Sequence, residues 1–305
     1  MKIAIVQERP VFYNLKKCLA KAIKRIEEAA EKGADLIVFG ETWLSGYPAF
    51  LDYCPNIGVW DYEPMKRIFG QIYQNSVDVG SETTQILAEL ARKHKVVIVI
   101  GVNEIAKQPQ GTIYNTILTF NEKGELANHH RKLMPTFTEK LIHGTGDGNG
   151  LKSVNTNFGK LGSLICWEHW MPLTRQAMHN EGELVHIALW PNVMEMHQLA
   201  SRHYAFEGRC FVVAVGQMMK VEDIPKGLKI PKKLKKQKWL LRGGSSVIAP
   251  NGEYILEPQY DKKGIFMVEI NNLKIAYEER MALDVTGHYN RTDVFDFQVN
   301  KKRSF

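Results

Sequence analysis

No apolar run in this chain of 305 residues is long enough to cross a bilayer, which takes about 20 residues in a helix. No membrane span or membrane partner is expected. A secretory leader is not expected either. Met1-Lys2-Ile3-Ala4-Ile5-Val6-Gln7 reads as a strand, with no apolar core or small-residue cleavage site behind it. Cysteine is scarce and scattered. Cys18, Cys54, Cys166 and Cys210 show no Cys-x-x-Cys spacing, so neither a zinc site nor a disulfide framework is expected, and four free thiols suit the cytoplasm. Charge of one sign is also missing once one segment is set apart. Residues 220–242 hold nine Lys and Arg against two acids, while the rest of the chain balances at 31 and 31. The net charge of +7 is therefore local. No nucleic-acid partner is expected, and with Pro225, Gly227 and Pro231 the segment reads as a long surface loop or partly ordered excursion, most simply a solvated loop. Contact with an acidic partner or a neighbouring subunit is the other reading of that charge.

What is present is an ordinary soluble composition, 44% hydrophobic and 24% charged. Strand-like runs fall at 2–7, 35–39, 96–102, 112–120, 161–166, 185–189, 210–216, 244–249 and 264–269. Most are almost continuously apolar, as strands covered on both faces are. Helical spacing marks 15–32, which stops at Gly33, and also 83–94 and 198–209. Asn121-Glu122-Lys123-Gly124 and Pro250-Asn251-Gly252-Glu253 read as hairpin turns. Each half of the chain runs strand, helix, strand, helix, strand, hairpin. This predicts an α/β fold in which two pseudo-symmetric halves stack sheet on sheet with helices outside. Nothing reads as a linker, so residues 1–305 are expected to form one domain. Residues 46–78 are rich in aromatics, including Tyr47, Phe50, Tyr53 and Trp60. They suit a pocket wall, a helical insertion with its own small core, or both.

Three polar residues stand just beyond strands or their hairpins: Glu41, Lys132 and Cys166. Each has a mundane alternative. A free cysteine is often packing, a carboxylate at a strand end is often solvated, and a lysine beside Arg131 is often surface charge. Together their chemistry is complementary. A thiol at the end of a buried strand can attack an electrophilic carbon, a carboxylate can take its proton and later activate water, and an ammonium can stabilise the anionic tetrahedral centre.

In this order and context the three residues resemble the carbon–nitrogen hydrolase (nitrilase) superfamily. The resemblance runs from Ile3-Ala4-Ile5-Val6-Gln7 to Gly287-His288-Tyr289-Asn290-Arg291. Four stretches resemble the nitrilase branch: Arg131-Lys132-Leu133-Met134-Pro135-Thr136; Gly144-Thr145-Gly146-Asp147-Gly148; Cys166-Trp167-Glu168-His169 with Met171-Pro172-Leu173; and His203-Tyr204-Ala205-Phe206-Glu207-Gly208-Arg209. The resemblance implies a four-layer α-β-β-α sandwich. It implies Cys166 as nucleophile, Glu41 as general base, and Lys132 with the Trp167 N–H as stabiliser of the tetrahedral intermediate. Glu139, otherwise a helix-surface acid, becomes the supporting second glutamate. It also implies a small nitrile and water as substrates, no cofactor or metal, and a homodimer or larger homo-oligomer. A narrow pocket with apolar walls suits a linear nitrile. Its wall residues are expected to be Tyr47, Thr136, His143, Trp167, Trp190, Pro191 and Asn192, with core packing the competing reading for Trp190.

Two departures stand out. His143 occupies a place where this branch usually carries tryptophan, which predicts a changed pocket wall. Little chain follows residue 296, which makes dimers the expectation and long filaments not. Several motifs are set aside. The glycine-rich 144–150 stretch lacks a Walker lysine and reads as a backbone turn. Adjacent His129 and His130 point to opposite faces of a strand and do not suit one metal. His169 is a weaker partner for the thiol than Glu41, and the Asn290-Arg291-Thr292 sequon has no meaning inside a cell. The rival functions are an amidase or carbamoyl hydrolase, a cyanide or cyanoalanine hydrolase, and a non-catalytic scaffold that retains the fold.

Overall fold

The computed structural model describes residues 1–108 and 110–304. In chain order the elements are β1 (Lys2–Gln7), α1 (Leu15–Glu31), β2 (Leu36–Phe39), α2 (Glu63–Gln74), α3 (Glu82–His94), β3 (Val97–Ile105), β4 (Ile113–Phe120) and β5 (Leu126–Arg131). The second half continues with β6 (Val154–Thr156), β7 (Gly159–Ile165), α4 (Pro172–Asn180), β8 (Val185–Leu189), α5 (Glu195–Gly208), β9 (Phe211–Val215), β10 (Met218–Lys220), α6 (Lys232–Lys235), β11 (Trp239–Ile248), β12 (Tyr254–Tyr260), β13 (Gly264–Glu269) and α7 (Ile275–Glu279).

Two sheets form. The first has strand order β13-β1-β2-β3-β4-β5, and the second β10-β11-β9-β8-β7-β6, with β12 also paired to β11. Each has three parallel strands at its centre, β1-β2-β3 and β7-β8-β9, with antiparallel strands outside them. The two halves therefore repeat one topology.

Side-chain alternation explains how four layers follow from such apolar strands. Ile3 and Ile5 of β1, Leu36 and Val38 of β2, and Val97 and Val99 of β3 join the core shared with Leu164, Ile187 and Val213 of the other sheet. Their neighbours Ala4, Val6, Ile37, Phe39, Ile98 and Ile100 face the opposite way, onto Cys18, Ala22 and Ile26 of α1 and Leu87 of α3. A strand of period two that is apolar on both faces needs a partner layer on each. Helices α4 and α5 cover the second sheet through Ala177, Met178, Ala200 and Tyr204. Gln7, at the end of β1, ties the sheets together. Its amide donates to the carbonyls of Gln259 (2.7 Å) and Lys262 (2.6 Å) and accepts the Ser245 N–H at 2.9 Å.

The strands and helices expected from apolar pattern are present, shifted by a few residues at some ends. Strand β5 carries no such pattern because its side chains, Asn128-His129-His130-Arg131, are polar. Asn128, His130 and Arg131 are buried and His129 is half-buried, all by pairing: Arg131 donates to Glu104 at 2.6 Å, and His129 meets the same carboxylate at 2.8 Å.

The basic segment requires a correction. Residues 220–242 are not a solvated loop. They form the end of β10, a 3₁₀ turn, α6 and the start of β11. Val221, Ile224, Leu228 and Leu234 are buried in one cluster with Phe50, Leu51, Met65, Ile68 and Ile72. The lysines face solvent while the apolar residues between them meet the aromatic insertion, so two features that read separately share a single satellite core.

Candidate active site

Glu41 lies two residues beyond β2, and Lys132 and Cys166 directly follow β5 and β7. The ends of strands from both sheets thus converge. Close backbone approach is needed to bring Glu41 in. A Cβ on Gly101 of β3 would lie 2.4 Å from both the Gly40 carbonyl oxygen and the Thr42 nitrogen, so only glycine fits there. The glycine-rich 144–150 stretch serves Lys132 in the same way. The Gly146 N–H donates to the Lys132 carbonyl at 2.9 Å, and a Cβ there would stand 2.5 Å from that oxygen.

Cys166 opens a 3₁₀ turn (Cys166–Trp170) with φ of 53°. This left-handed conformation costs a non-glycine residue about 1–2 kcal/mol, and the neighbours hold it. Glu168 accepts the Ile165 N–H at 2.7 Å, the Leu133 N–H at 2.8 Å and His130 Nε2 at 2.8 Å. One buried carboxylate therefore joins the residue before the thiol to the residue after Lys132. His169 does not pair with the thiol. Its Nδ1–H donates to the Cys166 carbonyl at 2.7 Å, and Nε2 lies 3.0 Å from His186 Nε2, whose other nitrogen meets Glu183 at 2.7 Å.

Lys132 Nζ donates to Glu41 Oε1 at 3.1 Å and to both oxygens of Glu139, at 2.9 and 2.7 Å. All three side chains are buried, Lys132 being 1% exposed. Asn115 donates to Glu41 Oε1 at 2.7 Å. Tyr47 OH donates to Glu139 Oε1 at 2.6 Å, and the Thr136 N–H to Oε2 at 3.0 Å. Both oxygens of Glu139 are thus occupied, whereas buried Glu41 Oε2 has no partner among the described residues.

The electrostatics separate the two carboxylates. Burial pushes Glu41 up to about 7, against the pull of Lys132. Burial also raises Glu139, but Lys132 and then His143 outweigh it and hold this carboxyl below its usual range. Burial alone would lower Lys132; the surrounding Cys166, Glu41 and Glu139 keep it well above the ordinary lysine value. The Cys166 thiol is pushed well up by burial, which Lys132 and the Trp167 N–H offset only in part. At rest the group consists of a thiol, an ammonium, an ionised Glu139 and a carboxyl that titrates near neutrality.

A cavity of about 330 Å³ opens onto Cys166 and Glu139. Tyr47, Thr136, Trp167, Pro191 and Asn192 line it, as the sequence suggested. His143 and Trp190 are not on its wall. Trp190 is core: its ring stacks on His169 at 4.8 Å and its indole N–H donates to Ser201 at 3.2 Å. His143 is buried on the Glu139 side with Nε2 at 2.9 Å from Asn103, and burial pulls it down to about 4. The departure at position 143 therefore places a buried, neutral imidazole behind Glu139 and leaves the cavity wall untouched. Ala49, Asp52, Tyr53, Phe137, Met194, His197 and Leu241 complete the wall unforeseen. The aromatic richness of 46–78 marks Tyr53 only as one of a group. Nothing in the sequence marks Met194, His197 or Leu241, which arrive through the start of α5 and the strand β11.

A larger cavity, about 540 Å³, is lined by Arg9, Lys21, Arg25, Lys220, Lys238 and Trp239 among others and contains none of these groups. Its cations are largely neutralised, Arg9 by Asp223 and Lys21 and Arg25 by Glu8, so it shows no chemistry of its own. Among the described residues no cluster of three or more His, Cys, Asp or Glu is placed to hold a metal.

Comparison with known proteins identifies the family and the fold. The family model described as carbon-nitrogen hydrolase matches residues 2–277. An aliphatic nitrilase of Sinorhizobium fredii (strain HH103) is 34% identical over 99% of this chain and 96% of its own length. A bifunctional nitrilase/nitrile hydratase, NIT4A, of Lupinus angustifolius is 33% identical over 98% of this chain and 86% of its own. The fold matches that of a carbon-nitrogen hydrolase from Helicobacter pylori G27 with a TM-score of 0.73 at 22% identity, covering 96% of both chains. It also matches Saccharomyces cerevisiae Nit3, a member of branch 10 of the nitrilase superfamily, with a TM-score of 0.71 at 22% identity over 95% of this chain and 96% of that one.

Proposed function

Since the chain belongs to the carbon–nitrogen hydrolase family, we propose that it is a nitrilase, converting a small organic nitrile and two waters to a carboxylic acid and ammonia. The observation that carries this reading is the buried Lys132, held between an ionised Glu139 and a Glu41 with one free oxygen, beside a thiol that opens onto the cavity.

Cys166 is the nucleophile on this reading. Because the thiol holds its proton at neutral pH, attack needs a base, and ionised Glu41 supplies it through Oε2. Sulfur adds to the nitrile carbon while the proton passes through Glu41 to nitrogen, giving a thioimidate. Water activated by Glu41 adds next and forms a tetrahedral intermediate, whose charge the Lys132 ammonium and the Trp167 N–H stabilise. Protonated nitrogen leaves as ammonia, giving a thioester, and a second water releases the acid and restores the thiol. If sulfur leaves first, the product is the amide. Glu139, whose two oxygens are both engaged, acts by positioning Lys132. The whole chain is the catalytic unit, since Glu41 and Lys132 come from the first sheet and Cys166 from the second.

The cytoplasm fits four thiols that are all unpaired. A homodimer or larger homo-oligomer fits the exposed apolar side chains Leu173 on α4 and Met196, Leu199 and Phe206 on α5. No helix among the described residues is long and apolar enough to cross a membrane.

Ammonia release from a panel of aliphatic, aryl and arylacetic nitriles and their matching amides tests the reading. Nitriles are expected to be hydrolysed faster than amides, and Cys166→Ala to abolish both while remaining folded. Turnover of amides alone would make the protein an amidase, and no turnover of either by folded protein would leave a scaffold.

A further inference from the structure

Two side chains on the cavity wall have their acceptor atoms already engaged. The Oδ1 of Asn192 accepts the Arg242 backbone N–H at 3.1 Å. A backbone N–H only donates, so the amide is oriented and its Nδ2 hydrogens are left over. The Nδ1 of His197 accepts the Met194 N–H at 3.2 Å, which places the proton of the neutral ring on Nε2. Neither Asn192 Nδ2 nor His197 Nε2 has a hydrogen-bond partner recorded among the described residues. The His197 ring is fixed by packing between Trp170 at 5.4 Å and Trp190 at 4.8 Å, and burial pulls its pKa down to about 4, so it stays neutral at pH 7. Both residues line the cavity that holds Cys166. The same wall carries two carboxylates, Asp52 and Glu139, and no lysine or arginine.

We propose that Asn192 and His197 form a pair of neutral hydrogen-bond donors that selects uncharged nitriles bearing a second polar acceptor, such as a ketone, amide or ether oxygen. The inference rests on the nitrilase reading and deepens it. A site that presents committed donors disfavours a ligand that leaves them unpaired. A nitrile carrying only hydrocarbon displaces water from both half-buried donors and returns no acceptor to them. One carrying a carboxylate meets Asp52 without a compensating cation on the wall.

The test compares kcat/KM for three nitriles of matched length: a ketone- or amide-bearing nitrile, its alkyl counterpart and its carboxylate counterpart. Binding of the same three to the Cys166→Ala protein is measured by calorimetry. Wild type is expected to favour the acceptor-bearing nitrile over the alkyl one by roughly tenfold or more and to rank the carboxylate last, with the same order in binding. His197→Phe keeps an aromatic ring but no donor, and Asn192→Asp keeps the acceptor for Arg242 but no donor. Each is expected to bring the ratio of acceptor-bearing to alkyl nitrile close to one. His197→Asn, which can supply both acceptor and donor, should restore part of it. Equal turnover of the alkyl nitrile, preference for the carboxylate, or a ratio unmoved in both variants would overturn the inference and leave the nitrilase reading intact. Absence of nitrile turnover in wild type would overturn the nitrilase reading, and the binding order in Cys166→Ala would then decide the donor pair by itself.

Discussion

Glu41 and Glu139 share one ammonium, yet they are shifted to opposite sides of the ordinary carboxylate value: burial dominates at Glu41, which has one oxygen bare, whereas Lys132 and the hydrogen bonds to both oxygens dominate at Glu139. A base that must be ionised to act is available only above its own pKa. For Glu41, raised to about 7, kcat/KM should therefore climb with pH from about 6 to 8. The negative charge of Glu139 is one of the causes that raise Glu41. Replacing it in Glu139→Gln is expected to move the rising limb to lower pH while kcat falls, since Lys132 loses its closest partner. A pH–rate profile of both proteins checks this. A limb that moves to higher pH in Glu139→Gln would contradict the electrostatic assignment.

Between elements, the critical joint is Glu168, which accepts N–H groups at the ends of β5 and β7 at once. Glu168→Gln turns one acceptor into a donor facing an N–H. It should destabilise the protein by roughly 2–3 kcal/mol, the scale of a buried charged hydrogen bond left unmade, and lower kcat more than it raises KM. Urea denaturation and steady-state kinetics measure the two effects. A variant as stable and active as wild type would show the joint to be dispensable. The motif Cys166-Trp167-Glu168-His169 is visible in the sequence, but this joint is not. It depends on Leu133 and His130, remote in the chain and brought near only by sheet packing. The same limit applies elsewhere. Strands such as β1, β3 and β8 are legible because both their faces are apolar, whereas β5 is silent because pairing, not hydropathy, buries it. Position along the chain suggests Trp190 and His143 for the pocket wall, but packing puts one in the core and the other behind Glu139. The lysines of 220–242 mask six buried apolar residues, because a charge run reveals its solvent face and hides the opposite one.

At the scale of the whole molecule, the outer face of α4 and α5 remains apolar at Leu173, Met196, Leu199 and Phe206. Large exposed apolar side chains grouped on two helices suit an association site. Wild type should sediment as a dimer or larger species, and Leu199→Asp with Phe206→Glu should shift it to smaller ones in sedimentation velocity. A monomeric wild type would remove oligomerisation from the account. Strand β13, near the end of the chain, pairs with β1 at its beginning, so the first sheet is completed only by the second half. A chain cut near residue 152 yields one fragment with the base and the lysine but an open sheet edge, and another with the thiol and the missing strand. Neither fragment holds a full set of reacting groups. In a mixture of the two, ammonia release would count only the molecules that had found each other.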